Sequence, residues 1–223
     1  MTGRDYLPIE VAIPLSDATL GGSLAVPDGA RAVVAFAHGS GSSRYSSRDR
    51  YVGEVLHCAG IATLLFDLLT ANEAEVDALT RTLRFDIQLL TARLAGVVEW
   101  LWSRADVAGL PTGLFGASTG TAAALGVAAA EPGRIAAVVS RGGRPDLAGD
   151  SLRAVTAPTL LIVGGHDDLV IALNVSAARR LTSVRDVQII PGATHLFEEP
   201  GTLEQVAALA RDWFLLHCFE VRV

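Results

Sequence analysis

Five consecutive residues, Gly116-Ala-Ser-Thr-Gly120, constrain the fold of this chain more than any other stretch. They follow a short apolar run of strand type at 111–115 and precede an apolar, helix-forming run at 121–130. A chain that passes so quickly from strand to helix turns sharply, and glycines at both ends keep side chains off the neighbouring elements. The five letters alone match by chance in roughly one sequence in ten of this composition, so the flanking elements make the pattern specific. The segment therefore predicts a strained turn that presents the hydroxyl of Ser118 above the edge of a sheet.

Strand-like and helix-like segments alternate along the chain, which indicates an α/β fold with a mostly parallel sheet and helices on both faces. Segments 9–13 and 20–26 are joined by a polar turn and predict an antiparallel pair. About eight strands in one open sheet are expected, formed by a single domain over residues 1–223. Residues 69–82 form a polar stretch. The other predicted strands are 32–37, 61–67, 113–115, 135–140, 159–163 and 187–190, and the predicted helices are 49–59, 85–102, 121–130, 171–181 and 203–217.

The connection between predicted strands 135–140 and 159–163 is short. It leaves no room for a lid domain at that point of the chain. We therefore expect an open site.

A serine hydroxyl is a weak nucleophile at neutral pH, so it needs a base within hydrogen-bond reach and an acid that orients the base. On a parallel sheet these groups follow later strands, in the chain order serine, acid, histidine. Asp167 and Asp168 come directly after a buried strand, and His195 follows the next one. We therefore predict Ser118 as nucleophile, His195 as general base and Asp167 as its orienting acid, with Asp168 as the alternative acid.

A carbonyl under attack gains negative charge on its oxygen, and N–H groups aimed at that oxygen stabilise the transition state. One predicted donor is the backbone N–H of Thr119, directly after the nucleophile. The other comes from the glycine-rich loop after strand 32–37, where the N–H of Ser40 is our prediction and that of Gly41 the alternative. His38 lies in the same loop but precedes the serine, which is the wrong order for the base.

Two arginines, Arg141 and Arg144, follow the strand that ends near residue 140. Arginine binds carboxylate or phosphate groups in a bidentate manner, so these side chains are candidates for binding an anionic substrate. The alternative is that Arg141 pairs with Asp67 or Asp146 and only braces the loop.

The net charge of −6 gives no electrostatic footprint for nucleic acid. No apolar run reaches the ~18 residues of a membrane span, and the polar N-terminus predicts no signal peptide. The two cysteines, Cys58 and Cys218, fall in predicted helices and make neither a disulfide framework nor a metal cluster. We expect a cytoplasmic protein without cofactor or metal that acts on a small molecule and binds neither nucleic acid nor membrane. The oligomeric state stays open, a homodimer included.

Four motifs in order carry a resemblance to the α/β-hydrolase superfamily and, within it, to the dienelactone hydrolase family. They are HGSGS at 38–42, GASTG at 116–120, VGGHDDLV at 163–170 and PGATHLF at 191–197. The resemblance covers essentially the whole chain. It implies an α/β-hydrolase fold without a lid domain, and hydrolysis of an ester or lactone through an acyl-enzyme formed by a Ser118–Asp167–His195 triad.

The chain departs from this family at one position, because dienelactone hydrolases proper carry cysteine where this chain has Ser118. Cys58 and Cys218 lie in predicted helices and cannot substitute for it. The resemblance therefore implies a broader serine esterase acting on small carboxylic esters or lactones. Two alternatives remain: a ligand-binding protein that has lost turnover, and an acyltransferase that uses the same triad.

Overall fold

The computed structural model describes residues 8–219, which form an eight-stranded sheet in the order β1-β2-β4-β3-β5-β6-β7-β8. β1 and β2 pair antiparallel, as do β2 and β4, and the remaining neighbours are parallel. This confirms the predicted eight-stranded, mostly parallel α/β fold. The strands are β1 Ile9–Pro14, β2 Thr19–Ala25, β3 Ala32–Ala37, β4 Ile61–Phe66, β5 Thr112–Ala117, β6 Ile135–Arg141, β7 Thr159–Gly164 and β8 Arg185–Ile190.

Helices cover both faces of the sheet and bury its central strands throughout, and these strands are mainly apolar because neither face meets water. Six α-helices and two 3₁₀ segments are present in the described residues. They are α1 Ser47–Cys58, α2 Ala71–Thr80, α3 Ile87–Ser103, α4 Gly120–Ala130, α5 Asp168–Ala178 and α6 Thr202–Phe219, with the 3₁₀ segments at Leu83–Phe85 and Pro145–Ala154. Helices α3 and α4 share one apolar core with the sheet, and α1 and α6 share the other.

Helix α2 lies where the sequence showed only a polar stretch. It begins with a capping box, in which Thr70 Oγ1 accepts from the Glu73 N–H and Glu73 Oε2 accepts from the Thr70 N–H at 2.8 Å. Glu73 also accepts from Nη2 of Arg93, a buried residue of α3, at 2.8 Å. Burial alone would raise the pKa of Glu73, but the hydrogen bonds from Thr70 and Arg93 hold it below its ordinary value. Polar contacts therefore hold this helix in place.

Six strands, from β4 through β8 in the sheet order, run parallel, so their carboxyl ends meet at one edge. Loops that follow such strands are the usual place for a ligand site in an open α/β sheet. Among the described residues, no helix combines the length and the apolar character needed to span a membrane.

Candidate active site

Ser118 sits on a sharp turn between β5 and α4, with a positive φ of 49°. A residue other than glycine pays about 1–3 kcal/mol to hold such a conformation, so the surroundings must fix it. Its N–H donates to the carbonyl of Arg141 at 3.2 Å, and its own carbonyl accepts from the N–H of Arg144 at 3.0 Å. The end of β6 and the loop that follows it thus hold the backbone of the turn from both sides.

The glycines at both ends of this turn are required by close packing. A Cβ at Gly120 would lie 2.0 Å from the carbonyl oxygen of Ala37, at the end of β3. A Cβ at Gly116 would lie 2.5 Å from Cα of Thr121, in the first turn of α4. Because both obstacles are backbone atoms, neither contact is relieved by a side-chain rotation.

Replacing Gly120 with alanine is expected to lower the free energy of unfolding by about 3 kcal/mol or more, because β3 and α4 would have to separate. Gly29→Ala is the comparison: its φ is +70° but its Cβ would meet nothing within 4 Å, so only backbone strain of about 1 kcal/mol is expected. Urea unfolding of both variants measures the difference. Equal losses of unfolding free energy in the two variants would mean that the close approach at Gly120 does not affect stability.

The structure brings His195 and Asp167 together. Nδ1 of His195 lies 2.6 Å from Oδ2 of Asp167, and the carboxylate is the more buried partner, with 17% of its side chain exposed against 40% for the imidazole. Asp167 immediately precedes α5, whereas Asp168 is the first residue of that helix and is exposed. Its charge suits the helix N-terminus, and its carboxylate accepts no hydrogen bond from the other residues of the segment 8–219. Of the two predicted acids, only Asp167 contacts the histidine.

His195 reaches the same edge of the sheet as Ser118. A Cβ at Gly142 would lie 3.5 Å from Cε1 and Nδ1 of the His195 ring, so the ring packs over the residue that follows Arg141. Since the Arg141 carbonyl accepts from the Ser118 N–H, one strand end supports both groups. In the described residues no hydrogen bond links Ser118 Oγ to His195; such catalytic hydrogen bonds commonly tighten only when substrate binds.

The two predicted oxyanion-hole residues also meet. Oγ of Ser40 and Oγ1 of Thr119 are 2.9 Å apart, which joins the loop after β3 to the start of α4. The backbone N–H groups of both residues donate to no acceptor in residues 8–219. Gly39 allows this approach, since a Cβ there would lie 3.0 Å from Cβ of Ser118. Two unused N–H donors therefore belong to residues beside the serine.

Arg141 and Arg144 both have carboxylate partners. Nη2 of Arg141, a buried side chain, lies 3.1 Å from Oδ1 of Asp49 on α1, and Arg144 binds Asp146 through two hydrogen bonds of 2.9 and 2.8 Å. Burial lowers the pKa of Arg141, although Asp49 opposes that shift. The specific pairing of Arg141 with Asp67 or Asp146 was wrong, because Asp49 is far away in the sequence and is brought in by α1. A role of the two arginines in substrate binding stays a prediction.

Sequence reasoning missed a cavity of about 500 Å³ beside the oxyanion loop. It lies between the loops that follow β3 and β4 and is closed by α2. His38 joins these two loops: its Nε2 accepts from the N–H of Leu68 at 3.1 Å, and its Nδ1 lies 2.9 Å from the carbonyl oxygen of Gly39. The signal that could have found α2 is the capping-box spacing of Thr70 and Glu73.

No group of three or more His, Cys, Asp or Glu side chains within residues 8–219 is arranged to hold a metal ion. Cys58 is exposed and Cys218 is buried, and both lie in helices. The absence of a cofactor stays a prediction.

No protein-family model matches the chain. It is similar to the crystal structure of a dienelactone hydrolase from Anabaena variabilis, with 55% identity, a TM-score of 0.92, and coverage of 95% of this chain and 99% of that one. Est1E from Butyrivibrio proteoclasticus superposes with a TM-score of 0.79 at 17% identity, covering 95% of this chain and 99% of its own. A dienelactone hydrolase-like promiscuous phosphotriesterase from metagenomic libraries gives a TM-score of 0.75 at 17% identity, with 96% and 98% coverage. The last two likenesses show the fold alone.

Two curated proteins from strains of Mycobacterium tuberculosis are 58% identical to this chain over 209 residues. Both carry the provisional name of a phosphoribosyl transferase. The alignment covers 93% of this chain but 46% of each relative. The chain thus spans less than half the length of the curated relatives that it matches.

Proposed function

This chain belongs to the dienelactone hydrolase family, and we propose that it is a serine-dependent hydrolase that cleaves small carboxylic esters or lactones through an acyl-enzyme. The observation that carries the proposal is the 2.6 Å contact between His195 and Asp167, at the same sheet edge as the strained Ser118. A histidine paired with a carboxylate next to a serine is the constellation of acyl-transfer enzymes.

In this mechanism Ser118 Oγ attacks the substrate carbonyl carbon while Nε2 of His195 takes the hydroxyl proton. Asp167 accepts the hydrogen bond of Nδ1–H, which holds the ring in the required tautomer and stabilises the imidazolium that forms. The backbone N–H groups of Ser40 and Thr119 bind the negative charge on the carbonyl oxygen. When the tetrahedral intermediate collapses, His195 gives the proton to the leaving alcohol and the acyl group stays on Ser118.

Deacylation repeats these steps with water in place of the serine. His195 takes a proton from water, the resulting hydroxide attacks the ester carbonyl of the acyl-enzyme, and the proton passes to Ser118 Oγ as the acid leaves. An acceptor alcohol could use the same geometry, so product analysis with added alcohol separates hydrolysis from transfer.

The name of the mycobacterial relatives does not change this proposal. Phosphoribosyl transfer needs no acylated serine, and the segment of these relatives that aligns with this chain makes up 46% of their length.

Reaction with a fluorophosphonate tests the proposal directly, because the reagent modifies a serine only when a base activates it. We expect one adduct on the wild type, mapped by peptide mass to Ser118. His195→Ala should react more slowly by a factor of about 10² or more. His166→Ala, which replaces an exposed histidine near the site, is the matched control and should react like the wild type. Folded wild-type protein that takes up no adduct would refute the proposal.

A further inference from the structure

The cavity of about 500 Å³ opens beside the turn that carries Ser118, since Thr119 belongs to its wall. Gly39, Ser40 and Thr119 line one end of it, and a Cβ at Gly39 would lie 3.0 Å from Cβ of Ser118. From there the cavity extends under α2. Its volume falls within the range of small-molecule sites, and it is far larger than an acetyl group requires.

The position of His195 determines which part of an ester the cavity faces. The imidazole packs over Gly142, after β6, and its loop follows β8, whereas the cavity lies on the opposite side of β5, between the loops after β3 and β4. The leaving alcohol has to lie beside the histidine that protonates it. An ester bound with its alcohol beside His195 would direct its acyl part away from that histidine, to the side on which the cavity lies.

The cavity wall is mainly apolar. Its apolar side chains come from the loop after β4, from α2 and from α3. They are Leu68, Leu69, Ala71, Ala74, Ala78 and Leu90. Such a surface gains free energy by covering hydrocarbon, and each added methylene adds to that gain.

The charged groups of the wall neutralise one another. Arg44 pairs with Asp67, and its remaining guanidinium nitrogens donate to Glu10 and to the hydroxyl of Tyr45. Arg84 Nε lies 2.6 Å from Oδ2 of Asp77, a buried carboxylate. Burial alone would raise the pKa of Asp77, but hydrogen bonds from Arg84 hold it below its ordinary value. Two guanidinium groups thus face two carboxylates.

One guanidinium nitrogen of the wall is not neutralised in this way: Nη1 of Arg84, which lies close to Gly41, donates to no acceptor within residues 8–219. A substrate carboxylate that reached it would also meet the carboxylate of Asp77, which already pairs with the same guanidinium, so it would gain no net opposite charge. The wall thus favours an uncharged group.

We propose that this cavity binds the acyl part of the substrate and selects uncharged, apolar acyl groups larger than acetyl. The inference rests on the proposed function, since it assigns the acyl and alcohol sides from the position of His195. It places substrate selection on the loops after β3 and β4 and on α2, away from Arg141 and Arg144.

A series of 4-nitrophenyl esters tests the acyl preference. From acetate through butyrate to hexanoate, kcat/KM should rise by roughly threefold per methylene until the cavity is filled. The adipate half-ester carries a carboxylate where hexanoate has its terminal methyl, and its kcat/KM should be at least about tenfold lower than that of hexanoate. A preference for the adipate half-ester would overturn the proposal.

Ala74→Trp tests the cavity itself. The new indole would fill the space under α2, so kcat/KM for hexanoate should fall by about tenfold or more while that for acetate changes by less than about twofold. Leu79→Trp is the matched control: it places the same indole on the same helix, at a side chain that is 88% exposed and outside the cavity wall. Should Ala74→Trp not fold, Ala78→Trp, one turn later on the same wall, replaces it.

Three outcomes separate the possibilities. Equal losses on acetate and hexanoate in Ala74→Trp would overturn the acyl assignment. The acyl assignment would also be overturned if, in a series of acetate esters, the loss of kcat/KM in Ala74→Trp grew with the size of the alcohol. In both cases Ser118-dependent hydrolysis would still stand. If the wild type cleaved no ester, the proposed function itself would fail.

Discussion

Replacing Ser118 with alanine is expected to lower kcat for ester hydrolysis by roughly 10⁴-fold or more, because no other side chain can carry the acyl group. The oxyanion N–H groups and the cavity would remain, so a small rate above the uncatalysed reaction should persist. Release of 4-nitrophenol from the best ester of the acyl series, followed to full conversion, measures the loss. The fluorophosphonate adduct should disappear in the same variant.

The thermal stability of Ser118→Ala shows whether a loss of activity comes from the missing hydroxyl or from misfolding. Alanine occupies the same strained φ as serine and keeps both backbone hydrogen bonds to the end of β6, so Tm should stay within a few degrees of the wild type. A folded Ser118→Ala variant that kept more than about 1% of the wild-type kcat would contradict a covalent mechanism through this serine.

The core of the fold and the turn at Ser118 could be predicted because local rules determine them. The turn needs glycine wherever a backbone approaches within van der Waals distance, and Gly116 and Gly120 stand at those two places. The parallel direction of the buried strands follows from the alternation of apolar strands with helices. Asp167 and His195 follow two adjacent parallel strands, β7 and β8, whose carboxyl ends lie side by side, so the pattern predicted that they could meet.

The cavity could not be predicted because the helix that closes it lacks an apolar stripe. Within α2 the buried side chain is Asp77, while Val76 and Leu79 are exposed, so its hydrophobic pattern does not indicate a helix. It is held by the contact between Glu73 and Arg93, and by the contact between Asp77 and Arg84. Sequence periodicity carries no information about such ion pairs.

The partner of Arg141 escaped prediction for a related reason. Asp49 belongs to α1, on the opposite side of the nucleophile turn in the chain, and it reaches Arg141 only after β3, β5 and β6 have aligned. The two carboxylates predicted as its partners each pair with another arginine: Asp146 with Arg144, and Asp67 with Arg44. Pairing of charges between distant elements depends on the completed sheet.

Replacing each of the two adjacent acids, Asp167 and Asp168, is expected to have very different effects on activity. Asp167→Asn should lower kcat by about 10³- to 10⁴-fold, because an amide that donates to Nδ1 would hold His195 in the tautomer that cannot take the serine proton. Asp168→Asn should stay within about threefold of the wild type, since that side chain is exposed on the first turn of α5. Both changes remove one carboxylate at neighbouring positions, so the pair controls for net charge.

Steady-state kinetics of the two variants, at equal concentration and with circular dichroism to confirm folding, measures this difference. KM for the ester should change little in Asp167→Asn, because the residue touches the histidine and not the substrate. The fluorophosphonate should label Asp167→Asn slowly and Asp168→Asn at the wild-type rate, since labelling depends on the same activated serine. If Asp168→Asn lost activity and Asp167→Asn kept it, the 2.6 Å contact between Asp167 and His195 would be structural, and the acid of the site would be its neighbour.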